Sequence, residues 1–115
     1  MCIRDRADSF LVEIDPREKT IKKIEFNEET IGLEDLYAHL DCTMVERVSL
    51  YGEIDLWIDE EGMLNNSADR IGYFNIGEYQ FVGKGLICMS DEEGDSVPLR
   101  EDIADYVLDN FNIEL

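Results

Sequence analysis

The clearest order in the chain is a pattern of apolar runs that stop at acidic turns. Leu56-Trp57-Ile58 runs into Asp59-Glu60-Glu61-Gly62, and Leu86-Ile87-Cys88-Met89 runs, after Ser90, into Asp91-Glu92-Glu93-Gly94. Three adjacent carboxylates cannot continue into a core, and glycine takes the positive φ that a tight reversal needs. The two stretches are therefore predicted as strands of one sheet, each delivering an acidic tip to the surface.

The flanking segments supply partners for that sheet. Phe10 to Ile14 is rich in strand formers, Asp15-Pro16-Arg17-Glu18-Lys19 reads as a turn, and Ile21, Ile24 and Phe26 alternate imperfectly with polar residues. This predicts a hairpin with a bulge or an edge at Lys22-Lys23, where two lysines would protect the strand from further pairing. Leu33, Leu36, Tyr37 and Leu40 fall at helical spacing and predict a helix over about 31–41. Thr30 is its candidate N-cap, and Glu34 and Asp35 suit the positive end of its dipole. Met44 to Leu50 and Ile54 to Ile58 predict a second hairpin across Gly52, with Ile54, Leu56 and Ile58 on one face and Asp55 and Trp57 on the other. Trp57 is expected to be covered rather than to stand free as a contact residue.

From Gly62 to Gly77 the chain turns polar, as an irregular excursion would, although Tyr73 to Ile76 and Tyr79 to Val82 have the character of short strands around Gly77-Glu78. Gly83-Lys84-Gly85 opens the strand Leu86 to Met89. Leu99, Ile103, Tyr106, Val107 and Phe111 form a stripe that predicts a helix over about 98–111, with Pro98 in its first turn. The order predicts an α+β protein: a mainly antiparallel sheet of about five to seven strands with two helices packed on it.

Charge changes this picture most. The 115 residues include 28 acidic and 10 basic ones, a formal net charge of −18, which repels nucleic acid and attracts basic proteins or cations. The length suits a single domain, and no apolar run of about eighteen residues predicts a membrane span. Cys2, Cys42 and Cys88 have neither metal-type spacing nor a disulfide framework, which points to a reducing, intracellular setting. Met1-Cys2-Ile3-Arg4-Asp5-Arg6 resembles a translated sequencing adapter, so residues 1–6 are read as a non-native scar and 7–115 as the domain.

Candidate chemistry is sparse. No nucleophile elbow, zinc-protease helix, Walker loop or dinucleotide fingerprint occurs, and the single histidine, His39, sits beside an apolar stripe as a flanking surface residue. With 28 acids, two neighbouring carboxylates carry no catalytic information. The Asp91–Asp95 segment is rich in hard oxygen ligands but lacks the alternation and distal glutamate of a calcium loop, so no metal is assigned. Gly83-Lys84-Gly85 offers backbone N–H groups and one ammonium, but it opens a strand and reads as a pair of turn glycines.

Several of these segments resemble a known family. Asp55-Leu56-Trp57-Ile58-Asp59-Glu60-Glu61-Gly62-Met63-Leu64, then Phe81-Val82-Gly83-Lys84-Gly85-Leu86-Ile87, the Asp91–Asp95 turn and a terminal helix are similar to the family catalogued as domain of unknown function 3846. Leu33-Glu34-Asp35-Leu36 and Val45-Glu46-Arg47-Val48 extend the likeness, which runs from Ile24 to Phe111. Lys84 stands where that family has asparagine between the glycines, and Asn65-Asn66-Ser67-Ala68-Asp69-Arg70 replaces its proline-asparagine-arginine segment. The resemblance implies a phage or plasmid setting, hence the cytoplasm of an infected or host bacterium, and transfers no catalytic residue.

Together these features lead to the expectation of a non-catalytic counter-defence protein that sequesters a basic host partner, with no cofactor and no direct contact to nucleic acid. Asp59, Glu60, Glu61, Asp91, Glu92, Glu93 and Asp95 would form its binding surface. An alternative is an oligomeric sponge for a nucleotide-derived immune signal, with Trp57, Tyr73, Phe74 or Tyr79 stacking on the base and Arg70, Lys84 or Arg100 on phosphates. A small signal-degrading enzyme is the third reading, and it would depend on His39.

Overall fold

A computed structural model describes residues 9–26, 28, 30–40, 44–59 and 72–115. β1 (Ser9–Asp15) lies inside the main sheet because both of its faces are apolar: Leu11, Val12 and Ile14 are fully buried. It pairs antiparallel with β2 (Thr20–Glu25) on one side and with β7 (Gly85–Ser90) on the other. β7 pairs in turn with β4 (Ile54–Asp59), and β4 with β3 (Val45–Tyr51), giving the order β2-β1-β7-β4-β3. The short strands β8 (Ser96–Val97) and β9 (Leu99–Arg100) add to β7 and β1. β5 (Tyr73–Ile76), β6 (Tyr79–Val82) and β10 (Ile113–Glu114) form a second, three-stranded antiparallel sheet in the order β10-β5-β6.

The period of two along each strand sorts the core into two layers. Val12, Ile14, Leu56 and Ile87 point to one face, where Phe74 and Phe81 of the small sheet and Ala104 and Val107 of α2 (Glu101–Asn110) cover them. Leu11, Leu86 and Cys88 point to the other face, where Leu36 and Leu40 of α1 (Leu33–Leu40) pack with Phe26 and Ile31. The described residues are thus α+β with two helices, as the residue pattern predicts, but each helix takes its own side of the sheet.

Two local expectations are corrected, and one pair of alternatives, a bulge or an edge at Lys22-Lys23, is decided for the edge. Leu99 does not start the second helix: it is fully buried in β9, opposite Phe10, and the helix begins at Glu101 because the sheet claims the preceding backbone. The first helix is capped at Gly32 rather than Thr30, since Asp35 reaches back to the Gly32 N–H at 3.1 Å, one half of a capping box. β2 has no bulge, its register running evenly from Phe10↔Glu25 to Asp15↔Thr20. It is an edge strand, and Lys23 ties it to α2 through Asp105 at 2.9 Å and Glu101 at 3.2 Å while lying 5.0 Å over the Phe10 ring. Most of the Gly62–Gly77 stretch expected to be irregular, and residues 1–6 read as a scar, lie outside the described residues.

Candidate functional site

Antiparallel pairing decides where the two acidic turns sit. β4 and β7 are paired from Ile54↔Met89 to Ile58↔Gly85, so their carboxyl ends leave the sheet in opposite directions. Asp59 exits at the Gly85 end and Asp91 at the Ile54 end, separated by at least roughly 14 Å of strand at the usual rise per residue. Asp59 and the Asp91–Asp95 turn do not make one surface. Glu60 and Glu61 lie outside the described residues.

The Asp91–Asp95 turn nonetheless belongs to a larger acidic end. Asp91 Oδ1 accepts the N–H groups of Glu93 and Asp95, both at 2.9 Å, and the Asp91 N–H donates to the Asp95 carbonyl at 3.0 Å. Gly94 closes the turn at φ 90°, which a side chain rarely tolerates. One oxygen from each of Asp91, Glu93 and Asp95 lies within 4.8 Å of the others, all exposed. Against this turn the Glu53 carbonyl accepts the Ser90 N–H at 2.9 Å, which brings in the β3–β4 turn. The Ile31 N–H donates to the Ser96 carbonyl at 2.8 Å, which places the start of α1, with Glu34 and Asp35, at the same end. β9 sets the start of α2, with Glu101 and Asp102, beside Ser9 and Phe10 there too, next to Glu25.

Lys23, bound to Glu101 at 3.2 Å, reaches this end, and so does Arg100, which Asp102 holds through two contacts at 3.0 and 3.3 Å. That guanidinium, first among the causes, keeps the Asp102 carboxyl below its usual range. At the opposite end the charges are mixed. Asp15, Arg17, Glu18, Asp59 and Lys84 line a cleft of about 310 Å³ with Leu40 and Gly83, and Lys84 approaches Asp15 at 3.9 Å.

The described residues of the nucleotide-sponge alternative are not brought together within one copy. Trp57 lies half-buried on the α1 face and donates its Nε1–H to Ser96 Oγ at 3.3 Å, so it is covered, as expected. Phe74 is fully buried on the other face, stacked at 5.4 Å on Phe81. Tyr73 and Tyr79 are exposed on the small sheet, Lys84 and Arg100 stand at opposite ends, and Arg70 lies outside the described residues. His39 Nδ1 is 3.3 Å from Glu13 Oε2, both part-buried, an arrangement that ties α1 to the interior strand β1.

One polar group escaped the residue pattern. Asp55 is 3% exposed, and its Oδ2 has no hydrogen-bond partner. It sits opposite Cys88 in the register, on the face that α1 covers. The Cys88 thiol is pushed up to about 12, by burial first and by the Asp55 charge second. A thiol held protonated is neither a nucleophile nor a metal ligand. Alkylation at about pH 8 followed by peptide mapping is therefore expected to leave Cys88 unmodified in the folded chain and to label it fully in denaturant. Folding raises this thiol above its ordinary 9.0, so its contribution to stability is intact below pH 9 and is lost as the pH rises towards 12.

The described residues contain no helix long and apolar enough to cross a membrane. The profile of a family described as domain of unknown function (DUF3846) matches residues 10–112. No curated protein and no solved structure matches the chain.

Proposed function

Given that the chain belongs to the DUF3846 family of domains of unknown function, we propose that it is a non-catalytic binding protein that takes a basic partner on the acidic end of its sheet. The observation that carries this reading is the convergence there of Glu53, the Asp91–Asp95 turn and the acidic first turns of both helices, with Arg100 engaged by Asp102 and Lys23 by Glu101 and Asp105. Such a field raises the on-rate for a cationic surface and selects against anionic ones. The site is centred on Asp91, Glu92, Glu93 and Asp95; Asp59 stands apart from it. In the phage or plasmid setting that the family resemblance implies, tight binding of this kind would sequester a host protein and serve counter-defence in the bacterial cytoplasm. A nucleotide sponge would instead need its stacking and phosphate-binding groups to meet across a subunit boundary.

Pull-down from host lysate tests the reading. A basic protein is expected to be captured at about 0.05 M salt and largely released at about 0.5 M, where the Debye length falls to a few ångströms. Reversing Glu92, Glu93 and Asp95 to lysine spares Asp91, which holds the turn, and is expected to abolish capture. Recovery that ignores both salt and the reversal would overturn the proposal.

A further inference from the structure

The two edges of the main sheet are treated differently. β2 carries Lys22 and Lys23 at its edge, with Lys23 bound to α2. β3 closes the other edge and, among the described residues, pairs with β4 alone. Lysines discourage further strand pairing; β3 carries Glu46 and Arg47 near its start and a register irregularity between Ser49 and Tyr51, and it turns Val48 and Leu50 to an open groove. That groove, about 690 Å³, runs between β3 and the β5–β6 hairpin, with Ile76 and Phe81 on its far wall. Tyr79, 72% exposed, overhangs it, and Tyr51, 67% exposed, marks where β3 leaves it. Beyond Tyr51 lie Glu53 and the Asp91–Asp95 turn, joined by the Ser90–Glu53 hydrogen bond at 2.9 Å.

We propose that this edge is a strand-addition site for an extended segment of a basic protein. The segment pairs with the outer backbone groups of β3 and places every second side chain, apolar, in the groove. Its lysines or arginines follow where it passes Tyr51 and meets the acidic end. The inference rests on the acidic-end reading for its charged part and on the sheet edge for the remainder. A second copy of this chain is a poor occupant, because each carries a net charge of −18 and would bring acid against acid.

A labelled synthetic peptide of alternating valine and threonine ending in three lysines is the probe, read by fluorescence anisotropy against the full chain. Binding is expected, together with slowed hydrogen exchange of the β3 amides. N-methylation of alternate peptide amides removes the ladder donors and should abolish it. Tyr79→Ala, at an exposed position, should weaken it by about tenfold. Binding that survives N-methylation and Tyr79→Ala overturns strand addition yet leaves the acidic-end reading standing. Binding that survives exchange of the lysines for glutamates sinks the charged part instead. No binding of any peptide, or a concentration-dependent dimer in sedimentation that Tyr79→Ala abolishes, overturns the proposal outright.

Discussion

Gly85→Val is expected to destabilise the domain by about 3 kcal/mol, at the upper end of what overpacking costs. Secondary-structure preference points the other way, since valine favours strands and glycine weakens them by up to about 1 kcal/mol. Contact geometry decides between the two. A Cβ at Gly85 would lie 2.7 Å from Phe74 Cζ, 3.2 Å from Phe74 Cε1 and 3.0 Å from Leu56 Cδ1. Phe74 is fully buried and packed against Phe81, so its ring has no vacant place to move into. Leu56 is equally buried in the neighbouring strand. The absent side chain at Gly85 is therefore what lets the small sheet dock on the large one. Urea unfolding of Gly85→Val, of Phe74→Ala and of the double variant would measure the coupling. The double variant should be less destabilised than the sum of the singles, because Phe74→Ala empties the space that valine needs. Unchanged stability in Gly85→Val would mean that the sheets pack differently.

This glycine also marks the limit of what the residue pattern discloses. Gly83-Lys84-Gly85 reads locally as a turn opening a strand, which it is, but the reason for Gly85 lies in Phe74, whose approach no periodicity predicts. The hairpins across Gly52 and Gly77, the buried helix positions Leu36, Leu40 and Val107 and the alternation of Ile54, Leu56 and Ile58 were legible because period and turn residues are local, whereas Leu33 and Tyr106 of the expected stripes are exposed. Leu99 was misplaced because it satisfies the helical stripe and the strand equally well, and only pairing with Phe10 separates the two. The Asp91–Asp95 turn was legible on its own, while the residues after Asp59 lie outside the described ones. The opposite exits of Asp59 and Asp91, and the gathering of Glu53 and both helix starts around the Asp91–Asp95 turn, follow from strand order, which is a long-range property.

The burial of Asp55 has a signal in the strand beside it. β7 is apolar at every position from Leu86 to Met89, which marks a strand covered on both faces. Its neighbour β4 must then be covered on both faces as well, so the residues between Ile54, Leu56 and Ile58 could not all be surface residues. Trp57 fits that requirement, with its Nε1–H on Ser96, and Asp55 does not, since its Oδ2 is buried without a partner. Leaving such a group unsatisfied costs about 1–3 kcal/mol, more when it is charged. Valine has a similar volume, prefers strands and asks for no hydrogen bond. Asp55→Val is therefore expected to stabilise the domain by about 1–3 kcal/mol and to raise Tm by roughly 4 °C or more. The same change removes the second cause holding the Cys88 thiol up and leaves the first, burial, in place. The variant should consequently lose less stability between pH 9 and 12 than the parent does, a difference that a charge-independent packing gain would not produce. Thermal melts across that range, with Cys88→Ala as a background lacking the thiol, separate the two contributions. A lower Tm for Asp55→Val at neutral pH would show that the carboxylate holds the sheet together rather than straining it.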